Sequence, residues 1–581
     1  MYNYRKNFPS SSSFLLLFVF VSLLSSITSS TTTTNNLAID SNQQYDFLSR
    51  HMTTRTPYWV LKPADQQPSS SDDFSSSDSS SSNDPIESKL KSKKIYLRDT
   101  TTTVESSNSD NSSGQEPSTC NLVHINFLAR HGSRLPVPSA LEELTAFTES
   151  LRPYVDQVSN EYKWIFNYTV PYAKKAAGNL ILQGQYEHYN ISKRLRSRYP
   201  SYFKPYSPQL YGIRSTAISR VGMSASAFSY GLFQGFGQLG MQNFEPVFIE
   251  TSNLDQDRLL RFFDVCPRYQ KMILDGQINK DEETKWNNQY FPLISQSVSK
   301  RLGLENIWDP TVKGMGNIFS ACSYELSIEN KTDGWCSLLD KDEILNWEYS
   351  VDLSTYWIKS YGNQVNYKIS SILLQDMIST FDQFTNKTTS PPHGTTALRF
   401  GHAETIIPFL SLLGLYKDNF TLTANLTKQQ IETRKFRTSI ISPYASNVGF
   451  FLFDCGDDGF KIRVEHNELP VLIPGCDDVL CNYTQFKNSF PEVVDFNWDS
   501  YCSIKQPSPS ENIDKKSKVF LSVFIPVAFI VGTMIGVVLI LFAQKRLISK
   551  RRMLKKSNVI DVNSPLLLSS TNDASITVCT E

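Results

Sequence analysis

The sequence has no excess charge of either sign: Lys and Arg number 57, and so do Asp and Glu. A chain without net charge offers no overall basic field to a long polyanion, so no nucleic-acid partner is implied. Cysteine is scarce, nine in 581 residues, and no two are spaced C-x-x-C, which argues against a thiolate zinc site. Long apolar runs occur in only two places, so a polytopic membrane protein is excluded. Internal repeats are lacking as well. What is present, 40% hydrophobic and 12% aromatic residues, excludes full disorder. Length alone suggests about four domains at roughly 150 residues each. Much of that length is not globular, however, and the part that is, about 119–506, suits one large or two interlocked domains.

The two apolar runs differ in kind. Arg5 and Lys6 precede the short run Phe14 to Leu24 and then small Ser and Thr residues, the order of a secretory signal peptide, expected over 1–30. The second run, 519–543, spans about 25 uncharged residues, enough at about 1.5 Å per residue to cross a ~30 Å hydrocarbon core. Lys545, Arg546, Lys550, Arg551 and Arg552 follow it, which puts the tail 544–581 in the cytosol. The expectation is a single-pass type I membrane protein of the secretory pathway, held by one helix, with its folded part luminal or extracellular. Eight cysteines, Cys120 to Cys502, then fall on the luminal side and suggest four disulfides, the pairing left open by counting. Sequons begin at Asn111, Asn167, Asn190, Asn330, Asn386, Asn419, Asn425 and Asn482 and are candidate glycosylation sites.

Residues 31–118 are rich in Ser and Thr and read as a disordered arm that includes His51. Order is expected from Cys120. Leu122 to Ala129 has the length and apolarity of a buried strand, and Ser139 to Leu151 the period of a helix, with a Gly/Pro-punctuated loop between. Leu180 to Tyr199 and Val221 to Phe233 also read as helices, and 255–384 as mostly helical. Thr395 to Phe400 resembles a second core strand followed by a helix over Glu404 to Leu415. Val448 to Asp454, Lys461 to Glu465 and Leu469 to Ile473 read as strands. The acidic turn Gly456-Asp457-Asp458-Gly459 lacks EF-hand spacing, so a hairpin turn suffices. Two βα units separated by a helical block suggest an α/β domain carrying an inserted helical domain, around 140–384. Ligands of such sheets sit at the carboxyl ends of the strands.

Both candidate chemical motifs fall at such ends. Arg130-His131-Gly132-Ser133-Arg134-Leu135-Pro136 sets an imidazole between two guanidiniums. Like charges hold that imidazole neutral, and the guanidiniums suit phosphate oxygens. A histidine so placed can attack phosphorus and carry the phosphoryl group. At the second end, His402 and Glu404 open a helix, where backbone N–H groups attract an anion. A carboxyl beside a bound phosphate dianion is expected to have a raised pKa and to serve as an acid. Weighed against these roles are a basic surface turn and plain helix capping. Without a following P-C-x-x-C, His402-Ala403-Glu404 is not a zinc-deaminase motif. His124 reads as a core histidine, and His188, His393 and His466 as surface or turn residues. Lys174, Lys175, Lys193 and Lys204 are weighed as contacts to further phosphates against solvated surface charge.

The first motif resembles the R-H-G-x-R-x-P signature of the histidine acid phosphatases. Ile218-Ser219-Arg220 followed by Phe228 resembles the family segment that carries a further phosphate-binding arginine, with Arg214 as the nearby competitor. Arg261-Phe262-Phe263-Asp264, Ala321-Cys322 with Glu325-Leu326, and His-Ala-Glu in place of the commoner His-Asp, are similar to the inositol polyphosphate phosphatase branch. The resemblance covers about Cys120 to Cys502. It implies His131 as the phosphorylated nucleophile, Glu404 as proton donor, and Arg130, Arg134, Arg220 and His402 as phosphate contacts. No metal or other cofactor is expected, since Arg130, Arg134, Arg220 and the helix N-terminus at His402 supply the positive field that a metal would provide. The resemblance further implies the pairs Cys120–Cys455, Cys266–Cys502, Cys322–Cys336 and Cys476–Cys481. The implied substrate is an inositol polyphosphate. A broad-specificity acid phosphatase is the alternative enzyme, and a non-catalytic glycosylated surface protein the alternative outside enzymes. A transmembrane tail is not typical of the family.

Overall fold

The computed structural model of the chain describes residues 44–61, 120–276, 281–386 and 394–504. The expected signal peptide, most of the Ser/Thr-rich arm with Asn111, His393, the 519–543 segment and the tail lie outside the described residues. Among the described residues no helix is long and apolar enough to cross a membrane.

The frame is a mixed sheet of eight strands: β1 (Asn121–Arg130), β2 (Tyr211–Thr216), β3 (Glu250–Ser252), β4 (Thr396–Gly401), β5 (Asn447–Asp454), β6 (Phe460–His466), β7 (Leu469–Pro470) and β8 (Leu480–Asn482). Their order is β3-β2-β4-β1-β5-β6-β7, with β8 also on β6. The half containing β3, β2, β4 and β1 is parallel, and β5 onward runs antiparallel. β1 is central and is buried at every position from His124 to Arg130, so both of its faces carry apolar residues, with His124 and Asn126 as buried polar interruptions.

The helices of ten or more residues are α1 (Pro138–Leu151), α2 (Leu182–Arg198), α3 (Ser219–Phe233), α4 (Asp281–Leu302), α5 (Val312–Glu329), α6 (Lys341–Lys359), α7 (Ser371–Thr385) and α8 (Ala403–Leu412). α2 and α3 cover one face of the sheet, where Leu195, Phe228 and Leu232 meet Phe127, Phe400 and Phe451. α7 and α8 cover the other, through Phe381, Ile406, Phe409 and Phe450. α1, α4 and α5 build a separate helical core around Phe147, Val298, Phe319 and Trp335. The expected single helical insertion around 140–384 needs correcting, because β2, α3 and β3 lie inside that range and belong to the sheet domain. The chain leaves the sheet twice, before β2 and between β3 and β4. Tyr211-Gly212-Ile213-Arg214 gives no unbroken apolar run, and β3 is an exposed three-residue edge, so neither strand stands out in sequence.

The disordered arm also needs correcting. Residues 44–50 are helical and the segment continues to Leu61, with Leu48 and Met52 in the helical core and Tyr58 in the sheet core. His51 meets the buried Glu348 carboxylate at 2.9 Å, and Glu348 also pairs with Arg434 and Arg437. Tyr58 donates to Glu468 (2.7 Å), and the N–H of Tyr444 donates to the carbonyl of Thr56 (3.0 Å). Composition averaged over 31–118 conceals these few apolar anchors.

Disulfides join Cys120 to Cys455, Cys266 to Cys502, Cys322 to Cys336 and Cys476 to Cys481, the pairs that the family resemblance implies. Two histidines read as surface or turn residues, His188 and His466, are buried. His188 stands edge-on to Phe400, and His466 bonds Tyr416 and Ser446. His124 is a core histidine, as expected, beside Asn126 and Phe384. The sequon asparagines Asn167, Asn190, Asn330, Asn386, Asn419, Asn425 and Asn482 are all exposed.

Docking of residues 44–61 can be tested at Met52, which is 0% exposed. Met52→Ala should cost about 2–5 kcal/mol, the usual range for emptying a buried Met site. Thermal or urea unfolding reads it. A loss below about 0.5 kcal/mol, typical of a surface position, would show that the segment does not pack.

Candidate active site

Three parallel strands deliver the chemistry from their carboxyl ends. β1 ends at Arg130 and β4 at Gly401, paired in register, and the N–H of His131 donates to the carbonyl of Gly401 (3.0 Å). That pairing sets the rings of His131 and His402 edge to face, with centroids 5.7 Å apart. β2 ends at Thr216, whose hydroxyl lies 3.0 Å from Nε2 of His402, and α3 then begins with Ser219 and Arg220. His402 caps α8, and Glu404 stands in its first turn. Two helix N-termini therefore face one crevice, each favouring an anion.

The loop after β1 has little freedom. A Cβ on Gly132 would meet the carbonyl oxygen of Gly184 at 2.3 Å, and one on Gly184 would meet that of Ser133 at 2.3 Å. Only glycine permits α2 to approach the loop this closely. Glu187, one turn further along α2, accepts from the N–H of Ser133 (2.8 Å) and from its hydroxyl (2.7 Å). Burial pushes the Glu187 carboxyl up to about 7 against these bonds.

His131 is 3% exposed, and its Nδ1 lies 2.9 Å from the carbonyl of Gly132. A carbonyl only accepts, so Nδ1 carries the proton and Nε2 keeps its lone pair. Burial first, then the charges of Arg130 and Arg134 with smaller contributions from His402 and Arg220, hold this imidazole well below its ordinary pKa. It is neutral in mildly acidic solution, as a nucleophile must be. Burial, opposed by Glu404 and assisted by Arg220 and Arg261, likewise lowers His402 to about 3. Arg261 donates to Nε2 of His402 (3.2 Å).

The guanidiniums are held by neutral groups. Arg130 donates to the carbonyls of Thr54 and Ser442 and lies 4.7 Å from the centre of the Tyr444 ring. Arg134 donates to the carbonyl of Leu135 (2.8 Å) and interacts with the phenol of Tyr324. Neither has a carboxylate ion-pair partner among the described residues. Their positive field is thus left for an incoming anion.

Glu404 departs from expectation. Burial pushes its carboxyl up, but the Lys359 ammonium at 2.9 Å and His402 outweigh burial, and the group sits below the usual carboxylate range. The expected rise assumed a phosphate dianion as the neighbour; in the structure the neighbour is Lys359, at the end of α6.

The structure brings together Arg130, His131, Arg134, Arg220, His402 and Glu404. Arg214 is not among them, since it pairs with Glu250 across β2 and β3 (2.7 Å). Lys174 pairs with Glu142 on the surface, and Lys193 lies over the Tyr189 ring. Thr216, Glu187, Lys359 and the role of Arg261 carry no signal in the sequence. Arg261 lay in a quoted segment, but Lys359 and Glu187 look like ordinary helix charges. Among the described residues no group of three or more His, Cys, Asp or Glu side chains converges as a metal site would require.

Comparison with known proteins agrees with this geometry. Residues 121–467 match the histidine phosphatase superfamily (branch 2). The chain is 47% identical over 595 aligned positions, 91% of each chain, to multiple inositol polyphosphate phosphatase 1 of Dictyostelium discoideum. It is 27% identical over 405 positions to the human protein of that name, covering 65% of this chain and 80% of that one. In fold it is similar to the phytase from D. castellii (TM-score 0.56, 20% identity, 68% of this chain and 84% of that one). It also resembles the Bifidobacterium longum multiple inositol polyphosphate phosphatase solved with inositol hexasulfate (TM-score 0.51, 17% identity, 65% and 93%). A match spanning strands β1 to β6, with the two histidine loops meeting at the sheet's centre, makes the chain a member of the histidine phosphatase superfamily, branch 2.

Proposed function

We propose that the chain hydrolyses phosphate monoesters of inositol polyphosphates through a covalent phosphohistidine on His131. The observation that carries this reading is a buried, neutral imidazole with its Nδ1 proton tied to Gly132 and guanidiniums around it. The Dictyostelium relative, matched over 91% of both chains, supports the substrate class. So does the Bifidobacterium chain, which carries an inositol hexasulfate.

In the first step Nε2 of His131 attacks phosphorus and the bond from phosphorus to the inositol oxygen breaks. Arg130, Arg134 and Arg220 balance the charge on the transferring oxygens, with His402 beside them. Glu404, protonated once the dianion has raised its pKa, gives its proton to the leaving oxygen. In the second step water attacks phosphorus, its proton passes to the Glu404 carboxylate, and the bond from nitrogen to phosphorus breaks. Inorganic phosphate leaves and the neutral imidazole is restored.

We further propose that the folded part is luminal or extracellular on a type I membrane anchor. The apolar segment 519–543 with its basic flank, the exposed sequon asparagines and the disulfides support this reading. Glycosidase treatment of the protein from its own cells should increase its gel mobility. Unchanged mobility, with the folded part open to protease added from the cytosolic side, would contradict it.

The division of labour between His131 and Glu404 can be read with two leaving groups. An inositol alkoxide needs a proton, whereas p-nitrophenolate departs without one. Glu404→Gln should therefore lower turnover of inositol hexakisphosphate about 10²–10⁴-fold, the usual worth of a general acid, and turnover of p-nitrophenyl phosphate far less. His131→Ala should remove both activities. Equal losses in Glu404→Gln would assign that residue to positioning, and an active His131→Ala would end the phosphohistidine reading.

A further inference from the structure

Arg55 lies outside the family-matched residues 121–467, in the short segment that packs beside the site. Its main chain is pinned on both sides: the carbonyl of Thr54 accepts from Arg130, and that of Thr56 from the N–H of Tyr444. The Arg55 side chain is half-buried, with its guanidinium carbon 4.6 Å from the centre of the Tyr324 ring and Nη1 donating to the hydroxyl of Ser323 (3.2 Å). Tyr324, on α5, is 1% exposed and interacts with Arg134 as well as Arg55. Burial alone would push this phenol up, and the two guanidiniums draw it below its ordinary value.

Two cations therefore converge on one neutral phenol, and one of them belongs to the cluster around His131. Like charges this close repel, and among the described residues no acidic group pairs with Arg55. A hydroxyl and an aromatic face orient the guanidinium without neutralising it. An anionic group arriving beside Arg134 would relieve the repulsion and could take two parallel N–H bonds from the Arg55 fork.

We propose that Arg55 is a phosphate-binding residue that engages a second phosphate group of the substrate while the first stands at His131. It makes the site prefer polyphosphorylated esters over monophosphates, and it rests on the inositol polyphosphate reading above. Anchoring through Thr54 and Thr56 gives this contact the fixed geometry that recognition needs. The segment 44–61 is then a wall of the binding site and not only a structural strap.

The test compares kcat/KM for inositol hexakisphosphate and for p-nitrophenyl phosphate in the full-length wild-type protein, Arg55→Gln and Arg55→Lys. Arg55→Gln should reduce the ratio of the two constants by about 10-fold or more, the scale of one hydrogen bond to a charged group, and chiefly through KM for the hexakisphosphate. Arg55→Lys keeps the charge but not the fork and should recover part of the ratio. It also serves as the readout if Arg55→Gln folds poorly. Proportional losses on both substrates would show a structural role and overturn the proposal, as would an unaltered ratio in both variants. A wild-type protein that cleaves the aryl ester but not the hexakisphosphate would overturn the inositol polyphosphate reading, and the role of Arg55 with it.

Discussion

The site depends on the parallel pairing of β1 with β4. Arg130 stands opposite Gly401, and the next N–H, from His131, closes the ladder on the carbonyl of Gly401. Only this register sets the two histidine loops at the same height over the sheet. Side chains alternate along a strand, so a slip of one residue would turn Arg130 to the opposite face. The long helical excursion between β3 and β4 can vary without disturbing the pairing, because β1 is also locked on its other edge by β5. β2 adds the third end, and with it Thr216 and Arg220.

Around that frame the electrostatics follow one rule: cations are positioned by neutral groups. Carbonyls of Thr54 and Ser442 hold Arg130, and the carbonyl of Leu135 holds Arg134. Tyr444 and Tyr324 offer ring faces or phenols to the same guanidiniums. Carboxylates in those places would stabilise the empty site and weaken its attraction for phosphate. The arrangement costs stability, because buried like charges repel and lose solvation. It also gives a preorganised field that acts on the transferring phosphoryl group. That field, with burial, keeps His131 neutral, so phosphate attraction and nucleophile activation share one cause. The Arg261–Asp264 and Lys359–Glu404 pairs are exceptions, and the second holds its carboxyl ionised, the form required of the base in the second step.

Much of this was legible in the sequence, for definable reasons. The RHG loop and the His-Ala-Glu turn are local patterns at strand ends, and β1 and β4 are buried runs bounded by Gly and Pro. Glu187 and Lys359 could not be read, since each acts on a residue far away in sequence and looks like any helix charge. Gly184 was equally silent, because its requirement comes from the approach of Gly132. The 44–61 segment was misread because Ser and Thr dominate the composition around it. The few residues that anchor it, Leu48, Met52 and Tyr58, find their partners only in the folded core. Arg220 was distinguished from Arg214 by a family pattern, and the salt bridge of Arg214 to Glu250 supplies the physical ground for that choice.

A phosphohistidine mechanism requires that one nitrogen of one histidine receive the phosphoryl group. The Gly132 carbonyl holds the Nδ1 proton of His131, so transfer is predicted at Nε2 alone. Quenching the enzyme during turnover of inositol hexakisphosphate, digesting it at alkaline pH to preserve the labile bond, and locating the phosphate by mass spectrometry and phosphorus NMR decides the matter. Phosphate on Nε2 of His131 is the expected result. Phosphate on Nδ1 of His131, on His402, or on no histidine while turnover proceeds would contradict the account.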